Sequence, residues 1–415
     1  MLRPRLVFPL VAAAFLLPAA ALACFWDYDT LMMERSRFPD TLELITGKFL
    51  RHSKEFYEWR IQDRRQKLAT DPDNLSYFDD LAVAYDKIGQ HDKAIETILI
   101  KDKKHPGLYE TEANLGTFYI HDGQLEKGLE HINRAIQINP NAHFGREVYQ
   151  KRLVEYALSR RQKGKTVLPL AKFERRTRAN EDPDSDLEIY PLLGEDFASF
   201  LFKRNHPGVS AEERAPAIKG ILGMMKFGNY DSPILLEALG NLLSLDLGFE
   251  TRPRDDAKRL AARAYLKASY EVTDEAARKD YRSMARQVLK MQTVHAHSET
   301  PVSLEEIETH FQQELAEAKE WYADLRQKEL IWIKEGSDPE QQFNRLYRED
   351  PALAYSTEGE SHPLTALVDI QWIRRVVGIG ILLVVVPALV LLFMRMLKKR
   401  NPTMAAGSST GQRDS

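Results

Sequence analysis

The sequence predicts an all-α chain: paired helices stacked at a fixed spacing, further helices after them, and one apolar helix near the C-terminus. Three observations carry this. Tyr85 and Tyr119, Gly89 and Gly123, and Pro106 and Pro140 are each separated by 34 positions. Within each 34-residue unit, apolar residues recur at helical spacing. Val376 to Met394 runs for nineteen residues without a charge.

Taken in order, the N-terminus reads MLRPR, then LVFPLVAAAFLLPAAALA, with Ala21-Leu22-Ala23 before Cys24. A basic start, a short apolar core and an A-x-A ending are the parts of a secretory signal peptide, so residues 1–23 are set aside from the fold. Residues 24–71 form an N-terminal helical segment. Stepping back 34 from Pro106 lands on Pro72, and SKEFYEWRIQDRRQKLATDP before it reads as the second helix of a degenerate half repeat capped at Ser53.

The first clear unit, 75–108, places Phe78, Leu81, Ala82 and Tyr85 at i, i+3, i+4 and i+7 on a first helix. Gly89 breaks that helix, Ala94 and Ile98 stripe a second, and Pro106 ends the unit, because its ring cannot continue a helix. The second unit, 109–142, repeats the scheme with Leu115, Gly116, Tyr119, Gly123, Ile132, Ala135 and Pro140. Small residues at Ala82, Ala94, Gly116 and Gly128 allow the paired helices to approach closely. Residues 143–160 read as a polar closing helix for the array.

This spacing resembles the tetratricopeptide repeat, a 34-residue helix-turn-helix family, with Phe78 and Glu112 where that family often has Trp. The resemblance covers residues 72–160 and implies a TPR-type α-α superhelix whose concave face binds a protein or peptide. On this chain that face implies Asp79, Val83 and Asp86 from one unit, and Ala113, Asn114, Thr117 and Ile120 from the next. The clamp that some relatives use for a C-terminal carboxylate places Lys and Asn where this chain has Asp79 and Val83, and basic residues where it has Phe144 and Val148. Only Asn114 fits it, so the resemblance points to a partner of basic or apolar character.

Residues 161–209, broken by Pro169, Pro183 and Pro191, read as a linker between two helical units. In 210–292, Ser210 and Glu213 make a capping box, and Leu239, Gly240 and Leu243 stand in the relation of Leu115, Gly116 and Tyr119. Ala261, Tyr265 and Ala268 match second-helix positions if nine residues are inserted within LGFETRPRDD, so the region reads as TPR-like and degenerate. In 303–350, Ser303 and Glu306 form another capping box for a long amphipathic helix carrying Ile307, Phe311, Leu315, Ala318, Tyr322 and Leu325 on one face, ending near Gly336. Residues 351–373 are a tether and 374–396 a transmembrane helix, since nineteen residues at about 1.5 Å each cover a hydrocarbon layer of roughly 30 Å. Arg395, Lys398, Lys399 and Arg400 follow, which places the tail 397–415 in the cytoplasm. The expected location is a bacterial inner membrane, crossed once, with the body in the periplasm.

The overall charge of −3 conceals an asymmetry. Arg3 and Arg5 give the leader +2, and the last 42 residues carry +6, leaving about −11 on residues 24–373. That balance argues against nucleic acid as a partner of the body. Cys24 is the only cysteine, so no intramolecular disulfide can form.

Motifs for chemistry fail one by one. Gly164-Lys165-Thr166 lacks the glycine five residues earlier that a phosphate loop needs, Ser159 standing there. His295 and His297 have no third ligand at usable spacing. No nucleophile elbow or zinc-protease motif is present. The expectation is therefore a non-catalytic, exported, membrane-tethered scaffold for protein–protein interaction, with no cofactor or metal, engaged in envelope complex assembly. Two other readings rest on Cys24: a thiol or cofactor assembly factor displaying CFWDYD, or a lipoprotein acylated at that residue.

Overall fold

The computed structural model describes residues 38–140, 145–176, 188–191, 195–203, 209–246, 255–290 and 302–347. Among them are fourteen α-helices and one two-stranded ribbon. The leader, Cys24, the tether, the apolar run 376–394 and the basic tail lie outside the described residues, as do His295 and His297. No helix among the described residues is long and apolar enough to cross a membrane.

Helix α1 (Thr41–Thr46) opens on a capping box in which Asp40 and Glu43 exchange bonds of 2.8 Å, and it ends at Gly47 with φ 80°. Helix α2 (Lys54–Thr70) starts at Ser53, whose Oγ accepts from the Phe56 N–H at 3.2 Å. An N-cap oxygen of this kind satisfies one of the orphan donors of the first turn.

Two helix pairs follow, α3 (Leu75–Lys87) with α4 (His91–Lys104), and α5 (Tyr109–His121) with α6 (Leu125–Ile138). Their turns match. Gly89 and Gly123 adopt φ 79° and 78°, a left-handed conformation that costs glycine little. The Gln90 N–H donates to Tyr85 O at 2.9 Å, and the Gln124 N–H to Tyr119 O at 2.8 Å. Lys93 and Lys127 place their ammonium groups 5.7 and 5.3 Å from the ring centroids of Tyr85 and Tyr119. The two tyrosines thus share these turn contacts one unit apart, while Tyr119 also stacks on His131 at 5.2 Å, where the first unit has Thr97. In the second pair the helices cross so closely that a Cβ on Gly128 would lie 2.8 Å from Gly116 O. In the first pair, Ala82 and Ala94 take those positions and are fully buried.

Helix α7 (Arg146–Ser159) packs on α6 and also on α9 (Ala211–Phe227). It is therefore an internal layer, with Arg146, Glu147 and Gln150 buried, where the sequence suggested a polar closing helix. The segment expected to be an irregular linker holds the antiparallel ribbon β1 (Phe173–Arg176) and β2 (Glu188–Pro191), paired Phe173 to Pro191, and a short α8 (Phe197–Phe202). It does not separate two bodies, because residues 38–347 belong to one compact unit. Buried Glu237 of α10 (Pro233–Leu243) fastens this segment: it accepts the Leu170 and Ala171 N–H groups at 2.9 and 2.8 Å and the Tyr281 hydroxyl at 2.8 Å.

Ser210 and Glu213 form the expected capping box at the start of α9. Helix α10 packs on α11 (Asp255–Glu271), which packs on α12 (Glu275–Lys290). Gly240 and Tyr265 meet as the repeat register suggests: a Cβ on Gly240 would lie 2.4 Å from the tyrosine ring. The long α13 (Leu304–Lys334) starts at Ser303, whose Oγ accepts from the Glu306 N–H at 3.1 Å without the return bond of a full capping box. Ile307, Phe311, Ala318 and Leu325 are buried from its expected stripe, while Leu315 and Tyr322 are half-buried. Its far end reaches the first helices of the chain. Arg326 Nε donates to Glu55 at 3.0 Å, Glu329 accepts from the Ser53 N–H at 2.8 Å, and Glu340 of α14 (Pro339–Tyr347) accepts from Arg64 at 2.6 Å.

Candidate functional site

The seven residues expected on a concave binding face are largely enclosed. Asp79 accepts two bonds from the Lys101 ammonium, at 2.7 and 2.6 Å, and one from Asn114 Nδ2 at 3.1 Å. Val83 and Ala113 belong to one apolar cluster with Phe227, which ends α9. Thr117 Oγ1 accepts from Gln150 Nε2 of α7 at 3.2 Å. Ile120 packs where a Cβ on Gly128 would stand, and Asp86 bonds His91 and His121. Six of the seven are buried and Ile120 is half-buried. The chain fills this face itself: the Lys87 ammonium donates to the carbonyls of Phe227 and Gly228 at 2.5 and 3.0 Å, fixing the end of α9 against α3. Helical periodicity finds the first-helix face, yet it carries no information that a helix 140 residues later covers it.

An open cleft lies beside that closure. It has a volume of about 290 Å³ and is lined by Phe49, Arg51, His52, Lys54 and Tyr57 around the start of α2, Lys87 of α3, Met225 to Tyr230 at the end of α9, and Tyr322 of α13. Its lining includes Arg51, Lys54, Lys87 and Lys226 and no carboxylate residue. In a body of strongly negative charge, this is a local reversal of sign.

Aromatic rings hold the cleft's central cation. The Arg51 guanidinium lies 3.7 Å from the Tyr322 ring centroid and 4.6 Å from that of Tyr230, and it donates to the Tyr230 hydroxyl at 3.2 Å and to Phe49 O at 3.3 Å. A desolvated cation over such ring faces is attracted by their quadrupoles. Burial pushes the Tyr230 and Tyr322 hydroxyls above their ordinary values, so both stay neutral beside Arg51. Gly47 makes this packing possible: at φ 80° it has no Cβ, and one would lie 2.6 Å from the Tyr230 ring. Lys226 sits 5.0 and 5.2 Å from the rings of Phe227 and Phe38. Lys54, at the rim, is exposed and reaches Glu58 only at 3.7 Å. His52, at the back, bonds fully buried Glu329 at 2.5 Å and stacks on Phe56 at 3.6 Å. Such an arrangement presents positive charge to an anionic group, while the Tyr322 hydroxyl donates to His52 O at 3.3 Å within the chain. It contains no nucleophile paired with a base.

A second cluster involves one expected residue. Asp86, near the end of α3, bonds His91 Nδ1 at 2.8 Å through Oδ1 and His121 Nδ1 at 2.9 Å through Oδ2. Burial alone would raise the Asp86 carboxyl, but the imidazoles of His121 and His91 outweigh it and hold it well below the usual carboxylate range. His91 is correspondingly raised by its bond to Asp86. Neither histidine stood out in the sequence, although in the 34-residue register His121 falls beside the equivalent of Asp86.

No protein-family model matches the chain, and no curated protein is significantly similar to it.

Proposed function

We propose that this chain is a non-catalytic scaffold of tetratricopeptide type, exported and tethered to a bacterial inner membrane by one C-terminal helix, which holds a protein partner by an acidic segment seated in the basic aromatic cleft. The matched turns at Gly89 and Gly123, with the same backbone bond and the same lysine contact at their two tyrosines, support the repeat reading. The observation that carries the partner reading is the cleft: four cations and five phenylalanine and tyrosine rings converge there without a carboxylate in the lining, next to the repeat face that α9 occupies. Carboxylates suit such a lining, because charge-assisted bonds to Arg and Lys are roughly twice as strong as neutral ones. The basic or apolar partner suggested by Asp79 and Val83 is less favoured, since both residues are enclosed.

The test uses the full chain purified in detergent. A fluorescein-labelled peptide of alternating Glu and Leu is titrated by anisotropy, against a Lys/Leu peptide of equal length. The Glu peptide is expected to bind several-fold tighter, and Lys54→Glu or added salt to weaken it. Equal binding of the two peptides, or no binding of the Glu peptide, would overturn the cleft as the partner site. Cross-linking and co-purification from membranes would then identify the natural partner.

A further inference from the structure

We propose that Asp86, His91 and His121 form a binding site for one divalent transition-metal ion of the zinc class, placed between the turns of the two repeat units. Three separate elements deliver the donors. Asp86 comes from the last turn of α3, His91 is the first residue of α4, and His121 is the last residue of α5. Their ligand atoms all lie within 4.8 Å of one another. Both imidazoles turn Nδ1 toward the same carboxylate, at 2.8 Å for His91 and at 3.0 and 2.9 Å for His121.

These are hydrogen-bond separations, and they need to open only slightly for a metal. With metal–nitrogen and metal–oxygen bonds near 2.1 Å in a tetrahedral site, donors stand about 3.4 Å apart. A shift of roughly half an ångström brings each imidazole to that spacing from the carboxylate, within the reach of small side-chain rotations, and the donor atoms of the two imidazoles already lie within 4.8 Å of each other. Two imidazoles and one carboxylate form a donor set that suits zinc, copper, nickel and iron(II), and it disfavours the all-oxygen ions calcium and magnesium. The carboxylate is 7% exposed, while the two imidazoles are 28% and 27% exposed, so the ion has a path from solvent and the site keeps one position open to it. Asp92 and Asp122 add negative potential at His91. On binding, the metal takes the place of the Nδ1 proton on each imidazole: a charged ring releases that proton to water and keeps its Nε2–H, and a neutral ring carries its single proton on Nε2 instead. The ion would tie the turn of one unit to the turn of the next, setting their relative angle.

The full chain, purified in detergent and stripped with chelator, is titrated with Co²⁺ and followed by visible absorption, then back-titrated with Zn²⁺. Wild type is expected to give the intense bands of a four- or five-coordinate imidazole site at one equivalent, quenched by Zn²⁺. His121→Asn and His91→Gln are expected to lose at least about tenfold in affinity, while His295→Ala/His297→Ala, which removes the other histidine pair, keeps the bands. Zn²⁺ is also expected to raise the melting temperature of wild type and not of His121→Asn, the sign of binding to the folded state alone. The proposal fails if wild type shows no such bands, or if the folded His91→Gln/His121→Asn double variant gives the same bands and the same Zn²⁺-dependent melting shift as wild type.

Discussion

Lys101 and Asp79 form a buried ion pair at the two places that the second unit fills with Ala135 and Ala113. The two pairs lie one repeat apart in register, so equivalent positions are filled once with charge and once with methyl groups. Burial pushes the Asp79 carboxyl above its ordinary value, and Lys101 opposes that rise. Removing one partner strands the other: Asp79→Ala or Lys101→Ala is expected to cost about 3–5 kcal/mol in denaturant unfolding. The double variant reproduces the second unit's chemistry and is expected to cost less than either single one. A double variant as unstable as the sum of the singles would show that the two units are not equivalent here.

The crossing of α5 and α6 gives a graded prediction. At Gly128 a new Cβ meets the Gly116 carbonyl at 2.8 Å, and backbone cannot easily yield. At Gly116 the nearest atom is Ile132 Cδ1 at 2.6 Å, the flexible end of a side chain. Gly128→Ala is therefore expected to lower stability more than Gly116→Ala, each within about 1–3 kcal/mol. Ile132→Val in the Gly116→Ala background is expected to recover part of the loss, as read by thermal melting.

Glu329 joins segments that are 277 positions apart, through His52 Nδ1, and also receives the Ser53 N–H. Glu329→Ala leaves a buried N–H and a buried imidazole without their acceptor, with an expected cost of about 2–4 kcal/mol. Glu55→Gln, which weakens the exposed bond to Arg326 near the same junction, is expected to cost under about 1 kcal/mol. Similar losses in urea melts would argue against the buried clamp.

The Asp86 cluster sets a pH dependence. His91 is raised above its ordinary value of 6.5, so its contribution is fully present below that pH and is lost as pH rises through the raised folded value. Asp86 is lowered from 3.8, so its contribution is present above that pH and is lost as acid titrates the folded carboxylate. The pair therefore stabilises between these limits. In chelator, the melting temperature is expected to fall as pH is raised above 6.5, and Asp86→Asn is expected to flatten that slope. An unchanged slope in Asp86→Asn would remove the cluster from the account.

The parts of the fold legible in the sequence were local. Glycines, tyrosines and prolines at fixed spacing mark turns, because each acts through its own backbone or its near neighbours. Ser53 and Ser210 mark helix starts for the same reason. What escaped depends on residues far apart in sequence. Phe227 covering the repeat face and Glu329 reaching His52 leave no periodic trace. The cleft escaped likewise, since Arg51, Lys87, Lys226 and Tyr322 converge only once α9 and α13 return across the first helices. Of the expected site residues, only Asp79 and Asn114 bond each other directly, and they do so as internal structure.

If the cleft is the partner site, cross-links form there and not on the outer face of the repeats. A photo-cross-linking side chain placed at Lys54 on the cleft rim, and separately at Ile100, an exposed apolar residue of α4, tests it in intact cells. A discrete adduct is expected from Lys54, lost when a Glu-rich peptide competes in isolated membranes, and none from Ile100. An adduct from Ile100 alone would contradict it.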